Sequence, residues 1–325
     1  MSVSKPRISI VGLGLIGGSI GLALRQAEAT SVIVGHDRDR MAGNEAKKLG
    51  AVDKVHWNLI SACEDADLVI LAIPLAGIED TLAAIGPHLR PGCVVMDTAA
   101  VKQEVMGWAA KSLPEGMHFV GTNPIPSRAV PGLSGIASAR ADLFQNGMFC
   151  IVPSSAASPD AVKLVTNLVG ILEARPLFLD AVEHDGLVAA VSQLPGLLSL
   201  ALLETAVNQP AWRELRKVAG PVFDAGTRLA TSNPAGVYLS NQENLLRWID
   251  ALSASLDSVR KQVANGDEAE LSQRIQQGWQ ERQAWMADRE IGDWSEGPKP
   301  QMPARGGFFD MLFGGFLRRA PKQES

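Results

Sequence analysis

Cysteine is scarce in this chain: Cys63, Cys93 and Cys150 are the only three in 325 residues, and they share no metal-ligand spacing. That excludes a disulfide frame and a cysteine metal site, and it reads as reduced thiols of a cytoplasmic protein. Concentrated charge is missing too. The 30 Lys and Arg against 35 Asp and Glu leave a net charge of −5, and no basic block of any length occurs. No electrostatic footprint for nucleic acid is present. No apolar run is read as reaching the roughly 18–20 residues that would span a bilayer. No signal peptide precedes the first strand, since MSVSKPR leads directly into it. No regulatory domain of recognisable length is expected after residue 290.

What the chain does have is apolar material, 46% of its residues, enough for substantial cores. Its length suggests two domains. The most informative stretch is ISIVGLGLIGGSIGLAL, Ile8 to Leu24. An apolar run meets a glycine cluster, and a second apolar run with helical spacing follows. Strand, tight turn and helix with G-x-G-x-x-G at the junction point to a dinucleotide site. Gly12 allows the turn, Gly14 lets the backbone approach a pyrophosphate, and Gly17 lets the helix pack on the strand. Leu15 and Ile16 open the helix, whose N-terminal N–H groups and dipole favour phosphate. Asp37 follows the second strand, where a carboxylate would accept hydrogen bonds from the adenosine ribose. It favours NAD over NADP, with Arg38 and Arg40 leaving NADP open. Asp37 and Asp39 could instead simply cap the next helix.

Further apolar strands are expected at 67–73, 93–97, 117–121 and 148–152, alternating with helices. The pattern predicts a doubly wound (Rossmann) parallel sheet. Ligands bind beyond the carboxyl ends of such strands. That rule gathers Asp37, Pro74, Thr98 to Lys102 and Asn123 into one cleft. PSSAASP at 153–159 reads as a domain junction. It divides a dinucleotide-binding domain, 1–155, from an all-helical substrate and dimerisation domain, 156–297, with a linker and Phe-rich tail at 298–325. A strand at 174–179 could still extend the sheet. Val182 to Asn208, interrupted at Pro195, predicts a long apolar kinked helix or two helices, and Ser240 to Glu243 a capping box. The long apolar helices suggest a homodimer. The tail reads as docked or loose, or as an amphipathic patch for a membrane or partner.

Five segments in order then resemble the prephenate/arogenate dehydrogenases. They are VGLGLIGGSIG at 11–21, D-x-x-x-V-K at 97–102, GTNPI at 121–125, EHD with SQLP at 183–195, and TRLATSNP at 227–234. The resemblance runs from about residue 6 to about 290. It implies an NAD(P)-dependent enzyme of tyrosine biosynthesis, which oxidises the ring hydroxyl of prephenate or arogenate with loss of CO2 and aromatisation. In the family a histidine holds the hydroxyl, a serine supports it, and an arginine binds a substrate carboxylate. By position, Arg228 matches the arginine, Ser232 a nearby polar group and Lys102 the motif lysine, which with Asn123 is expected to be catalytic.

The sequence departs from that pattern at three places. Asn123 stands at the histidine position of G-x-H-P, Ala100 at the motif serine, and Gln193 at the histidine of S-H-L-P. Asparagine can accept a hydrogen bond but cannot take a proton. Loss of general-base help costs about 10²–10⁴-fold in rate. Arg128, in a loop that differs from the family, is a candidate carboxylate contact or a plain surface cation. His184 and His118 are read as structural. Three readings stay open: a prephenate or arogenate dehydrogenase with altered proton handling, a related dehydrogenase of another acid or imine, and an NAD-binding dimer without turnover. No metal is called for.

Overall fold

The computed structural model describes residues 6–29, 32–127, 134–229 and 234–291. Contacts divide the chain into two units, separating between Asp185 and Gly186.

The first unit is built on a sheet. β1 (Arg7–Val11) leads into α1 (Leu15–Gln26), then β2 (Val32–His36), α2 (Arg40–Lys48) and β3 (Lys54–Val55). Next come α3 (Leu59–Cys63), β4 (Leu68–Leu71), α4 (Ile78–Ile85), β5 (Val94–Asp97) and α5 (Gln103–Ser112). β6 (His118–Ile125), β7 (Met148–Pro153), α6 (Pro159–Ile171) and β8 (Arg175–Phe178) complete it. The eight strands lie in the order β3-β2-β1-β4-β5-β6-β7-β8.

The apolar strands are apolar for a reason the packing shows. Leu68 and Ile70 of β4, Val94 and Met96 of β5, and Ile8 and Ile10 of β1 face one core with α1 and α6. The alternate residues Val69, Leu71, Val95 and Val11 face a second core with α3, α4 and α5. Side chains alternate across a strand, so a sheet covered on both faces shows no polar alternation. On the first of these faces Phe144 and Phe149 meet edge to face, with centroids 5.6 Å apart.

Four expectations are corrected. β7 runs antiparallel to β6, from Val120 opposite Pro153 to Ile125 opposite Met148; the other six strand pairings are parallel. An antiparallel partner needs no crossover helix, and among the described residues between β6 and β7 there is only a short 3-10 turn, Ile136–Ser138. β6 also outlasts its parallel partner. Its pairing with β5 stops at Val120, and pairing with β7 carries it on through Asn123. Pro124, which lacks an N–H, is tolerated there because the β5 side has already ended.

The domain junction moves as well. The first unit continues past residue 155 to Asp185, because α6 packs back on the sheet and β8 pairs parallel to β7. Ser158 does cap α6, accepting from the Ala161 N–H, with Pro159 at its first position. That turn is a helix start inside the domain.

The second unit is helical. α7 (Ala181–Val188) carries the chain across the boundary, a π-helical turn spans Ala189–Gln193, and α8 (Leu194–Val207) follows. The wide turn sits directly before Pro195, at α8's second position, so the helix passes the proline without ending. The resulting stretch, Ala181–Val207, is 27 residues long with a mean hydropathy of 1.8 in its most apolar window. By length and composition it could cross a membrane, which corrects the reading that no run is long enough. Its polar residues argue for protein surroundings: His184, Asp185 and Gln193 are all fully buried. α9 (Trp212–Val218), α10 (Pro221–Thr227) and α11 (Ala235–Leu239) lead to the long helices α12 (Gln242–Asn265) and α13 (Glu268–Ile291). The expected capping box does not form. Asn241 is the cap residue of α12, without a side-chain cap bond, and Ser240 Oγ donates to the Gly236 carbonyl instead. The tail at 298–325 lies outside the described residues.

Candidate active site

The glycine turn sits at the carboxyl end of β1, as the parallel sheet requires. Gly12 has φ +93, and a Cβ there would lie 2.3 Å from the Ala72 carbonyl oxygen. On Gly17 a Cβ would lie 1.9 Å from the Gly12 oxygen, so only glycine lets α1 approach β1. Gly14 is different: a Cβ there meets nothing within 4 Å. Gly14 caps α1 without a side-chain bond, and the helix has no acidic residue in its first turn. The N–H groups of Leu15, Ile16 and Gly17 therefore open onto free space at a positive helix end. This cradle fits a pyrophosphate.

Asp37 stands just past the end of β2 and couples the two parts of the site. Its Oδ2 accepts from the Leu13 N–H at 2.7 Å and its Oδ1 from Asp39 at 2.8 Å. Each oxygen keeps a second lone pair for a ribose hydroxyl. Helix capping falls to Asp39, which accepts from the Met41 N–H. Arg38 is exposed, and Arg40 lies over the Trp57 ring at 5.5 Å. Pro74 is exposed beyond β4, and Thr98 bonds the Leu71 carbonyl through its N–H. Among the described residues no cluster could hold a metal ion.

The second half of the site is a buried polar chain that runs under the strand ends. Asp97 closes β5, and Lys102 Nζ is ion-paired to its Oδ2, both fully buried. Asp97 Oδ2 also accepts from the Ala99 N–H, and its Oδ1 from the Thr122 N–H on β6. Burial pushes the Lys102 ammonium below the usual lysine range, against the pull of Asp97. Lys102, expected as a catalytic group, thus has its amine turned into the protein. Its backbone N–H donates to Asp185 Oδ1 at 2.7 Å, and that of Gln103 to Asp185 Oδ2 at 2.9 Å.

Asp185 leads on to the residues around Asn123. His184 is fully buried, with Nδ1 2.7 Å from Asp185 Oδ1 and Nε2 3.1 Å from the Asn123 side-chain nitrogen. The reading of His184 as a structural helix residue missed this contact across 61 positions of sequence. Cys150 lies opposite Asn123 on β7, and burial pushes its thiol up to about 11. His118 stands apart on the strand's exposed start, near the Ala156 carbonyl.

In the helical unit, Gln193 is buried. It donates to the Val237 carbonyl and accepts from Asn241. Arg228 is exposed at the end of α10 and paired with Asp224 one turn back. Arg128 and Ser232 lie outside the described residues.

Comparison with known proteins decides the family. Residues 20–177 match the family model for the prephenate dehydrogenase nucleotide-binding domain, and 180–277 that for the prephenate dehydrogenase dimerization domain. The chain belongs to the prephenate/arogenate dehydrogenase family. It is 30% identical to the prephenate dehydrogenase of Bacillus subtilis over 279 residues, 83% of this chain and 74% of that one. It is 26% identical to the cyclohexadienyl dehydrogenase of Zymomonas mobilis, over 90% of this chain and 99% of that one. Among solved structures, it resembles prephenate dehydrogenase from A. aeolicus in complex with hydroxyphenyl propionate and NAD+. There the TM-score is 0.79 at 25% identity, covering 87% of this chain and 99% of that one. The chain is thus a prephenate/arogenate dehydrogenase-like, NAD-dependent oxidoreductase. The matched region begins at residue 20, after the glycine turn, so the turn's role rests on its own geometry.

Proposed function

We propose that this protein catalyses the oxidative decarboxylation of a cyclohexadienyl ring acid, prephenate or arogenate, with NAD as the preferred oxidant. The observation that carries the reading is the match of 180–277 to the prephenate dehydrogenase dimerization domain. A nucleotide-binding sheet alone would serve many dehydrogenases. Gly12, Gly14, Leu15, Ile16 and Gly17 would hold the pyrophosphate and Asp37 the ribose, with Pro74 and Thr98 along the cleft. The Asp37 carboxylate would repel a 2′-phosphate and so supports NAD over NADP. The bound nicotinamide supplies an acceptor for the ring hydrogen and its two electrons.

The chemistry explains how an asparagine can serve. The ring carbon that carries the hydroxyl loses its hydrogen with both electrons, and the bond to the ring carboxylate breaks as CO2 leaves. The product is a phenol, so the hydroxyl proton can stay on oxygen throughout. The step needs an acceptor that stabilises growing positive charge on that hydroxyl, and net proton removal is not required. Asn123 is 9% exposed, its side-chain nitrogen faces His184, and its Oδ1 is not among the buried atoms lacking a partner. That oxygen is the acceptor. Lys102 acts through Asp97 and Asp185, fixing the ends of β5 and α5 as a positioning residue. Arg228, with Ser232 and Arg128, would bind the substrate's carboxylates. A homodimer in the cytoplasm is the form proposed. It would cover the exposed apolar side chains of the helical unit, such as Leu198, Leu202, Leu256 and Trp279.

The test follows reduced-nicotinamide absorbance with prephenate or arogenate and NAD or NADP. Turnover of one ring acid, with NAD the better oxidant, is expected. NAD binding without turnover of either would overturn the substrate assignment and point to another acid, an imine or a protein without turnover.

A further inference from the structure

Asn123 is held from behind by a buried imidazole, and the geometry fixes the protonation state of that contact. A carboxamide nitrogen has hydrogens to give and no lone pair to accept with. With Asn123 Nδ2 3.1 Å from His184 Nε2, the imidazole nitrogen must be the acceptor. His184 Nδ1, 2.7 Å from Asp185 Oδ1, must then carry the ring's proton. Both contacts require the same species, a neutral imidazole protonated on Nδ1. Asp185 is itself anchored by the N–H groups of Lys102 and Gln103, so the ring is held from a rigid base. In that state the Asn123 oxygen is directed away from His184.

We infer that the His184–Asp185 pair is a positioning device that replaces the missing family histidine: neutral His184 pins the Asn123 amide with Oδ1 toward the substrate hydroxyl, and protonation of His184 Nε2 reverses it. An imidazolium has a donor on each nitrogen, so the amide must turn its oxygen inward and present its NH2 to the cleft. The hydroxyl can still bind, now as an acceptor from that NH2. What is lost is stabilisation of positive charge as the ring carbon is oxidised. The effect falls on kcat more than on KM. Titratable groups of the same buried chain are Asp185, in contact with His184 on its own helix, Lys102 at the start of α5, Asp97 at the end of β5 and the Cys150 thiol opposite Asn123 on β7. Lys102 and Asp97 are paired with each other, and the thiol is neutral near pH 7 because burial pushes it up to about 11.

The inference rests on the ring-acid reading for its kinetic arm only. In that arm, wild-type kcat should fall on the acid side with a one-proton limb while KM changes little. His184→Gln keeps an acceptor for the Asn123 amide but cannot titrate. It should retain activity within about 10-fold and lose the acid limb. His184→Leu removes the pin and should lose roughly 10- to 100-fold in kcat, with NAD affinity unchanged. A second arm needs no turnover. In protein labelled with 15N in both histidine and asparagine, the imidazole resonance absent from His184→Gln should show the Nδ1–H tautomer at neutral pH. Its titration should move together with the Asn123 side-chain amide. An Nε2–H tautomer, or an acid limb that persists in His184→Gln, would overturn the inference. Absence of wild-type turnover on either ring acid would refute the substrate reading alone, and the NMR arm would still decide this one.

Discussion

The glycine turn gives a test in which binding and stability come apart. Gly17→Ala would set a methyl 1.9 Å from the Gly12 carbonyl oxygen, a backbone atom that cannot step aside. Overpacking typically costs about 1–3 kcal/mol, and a clash with fixed backbone falls at the upper end, about 3 kcal/mol or roughly 6–12 °C in melting temperature. Gly14→Ala places the same methyl in open space, at a negative φ of −83 that alanine adopts freely. Losing glycine at a helix cap costs about 0.5–1 kcal/mol, and restricting the unfolded chain returns about 0.4–1 kcal/mol. The melting temperature should therefore move by no more than about 2 °C. The methyl would occupy the space through which a pyrophosphate approaches Leu15 and Ile16. Loss of one charge-assisted N–H contact is worth about 1.5–3 kcal/mol, or roughly 10- to 150-fold in Kd. Calorimetric titration with NAD, beside thermal melts of both variants, reads the two quantities separately. A Gly14→Ala protein that binds NAD like wild type, or whose melting temperature falls with its affinity, would refute the placement of the pyrophosphate.

Other consequences follow from single contacts. Asp37→Ser should weaken NAD and narrow its advantage over NADP by about 10-fold, seen as the ratio of the two dissociation constants. Lys102→Met leaves Asp97 buried without its cation and should cost about 3–5 kcal/mol in urea unfolding. Gln193→Leu removes the donor to the buried Val237 carbonyl and one acceptor of the Asn241 amide in the helical unit and should cost about 1–3 kcal/mol. Burial pushes Cys63 up to about 11, Cys93 up to about 12 and Cys150 up to about 11. These thiols stay protonated in the folded protein while the unfolded chain ionises, so their contribution is full below about pH 9 and lost as pH rises through the folded values. Each thiol subtracts about 1.4 kcal/mol per pH unit between about pH 9 and 11, with Lys102, whose pKa is lowered, acting in the opposite direction. Urea midpoints should fall across that interval, and triple replacement by alanine should flatten the slope.

The sheet was largely legible because its strands are buried on both faces. Asp67 to Ile73 is nearly all apolar and became β4. The direction of β7 left no such trace, since Met148 to Val152 has the same composition whichever way it runs. The turn at Ser158 and Pro159 is a true helix start, and nothing local tells a start inside a domain from one that begins a new domain. Pro195 looked like a break because a proline forbids one hydrogen-bonding pattern, and the π-turn before it supplies another. The residues proposed for the cofactor half lie in one short segment and at one strand end, so spacing alone was enough to propose them. The substrate half depends on contacts between β5, β6 and α7. His184 and Asp185 stood in the family-like E-H-D segment, yet only the fold brings that segment behind Asn123. The signal was present as a histidine and an aspartate side by side in a chain that had lost its expected histidine elsewhere. Lys102 was over-read for the converse reason, since a motif lysine does not reveal that Asp97 takes its charge.

The central claim is that this chain oxidises and decarboxylates a ring acid while an asparagine holds the hydroxyl. The most direct measurement is the stoichiometry of a complete reaction with prephenate or arogenate: reduced nicotinamide, CO2 and phenolic product. The account predicts the three products in equal amounts. Reduced nicotinamide formed without CO2 or phenol, or no reaction with either ring acid while NAD is bound, would contradict it.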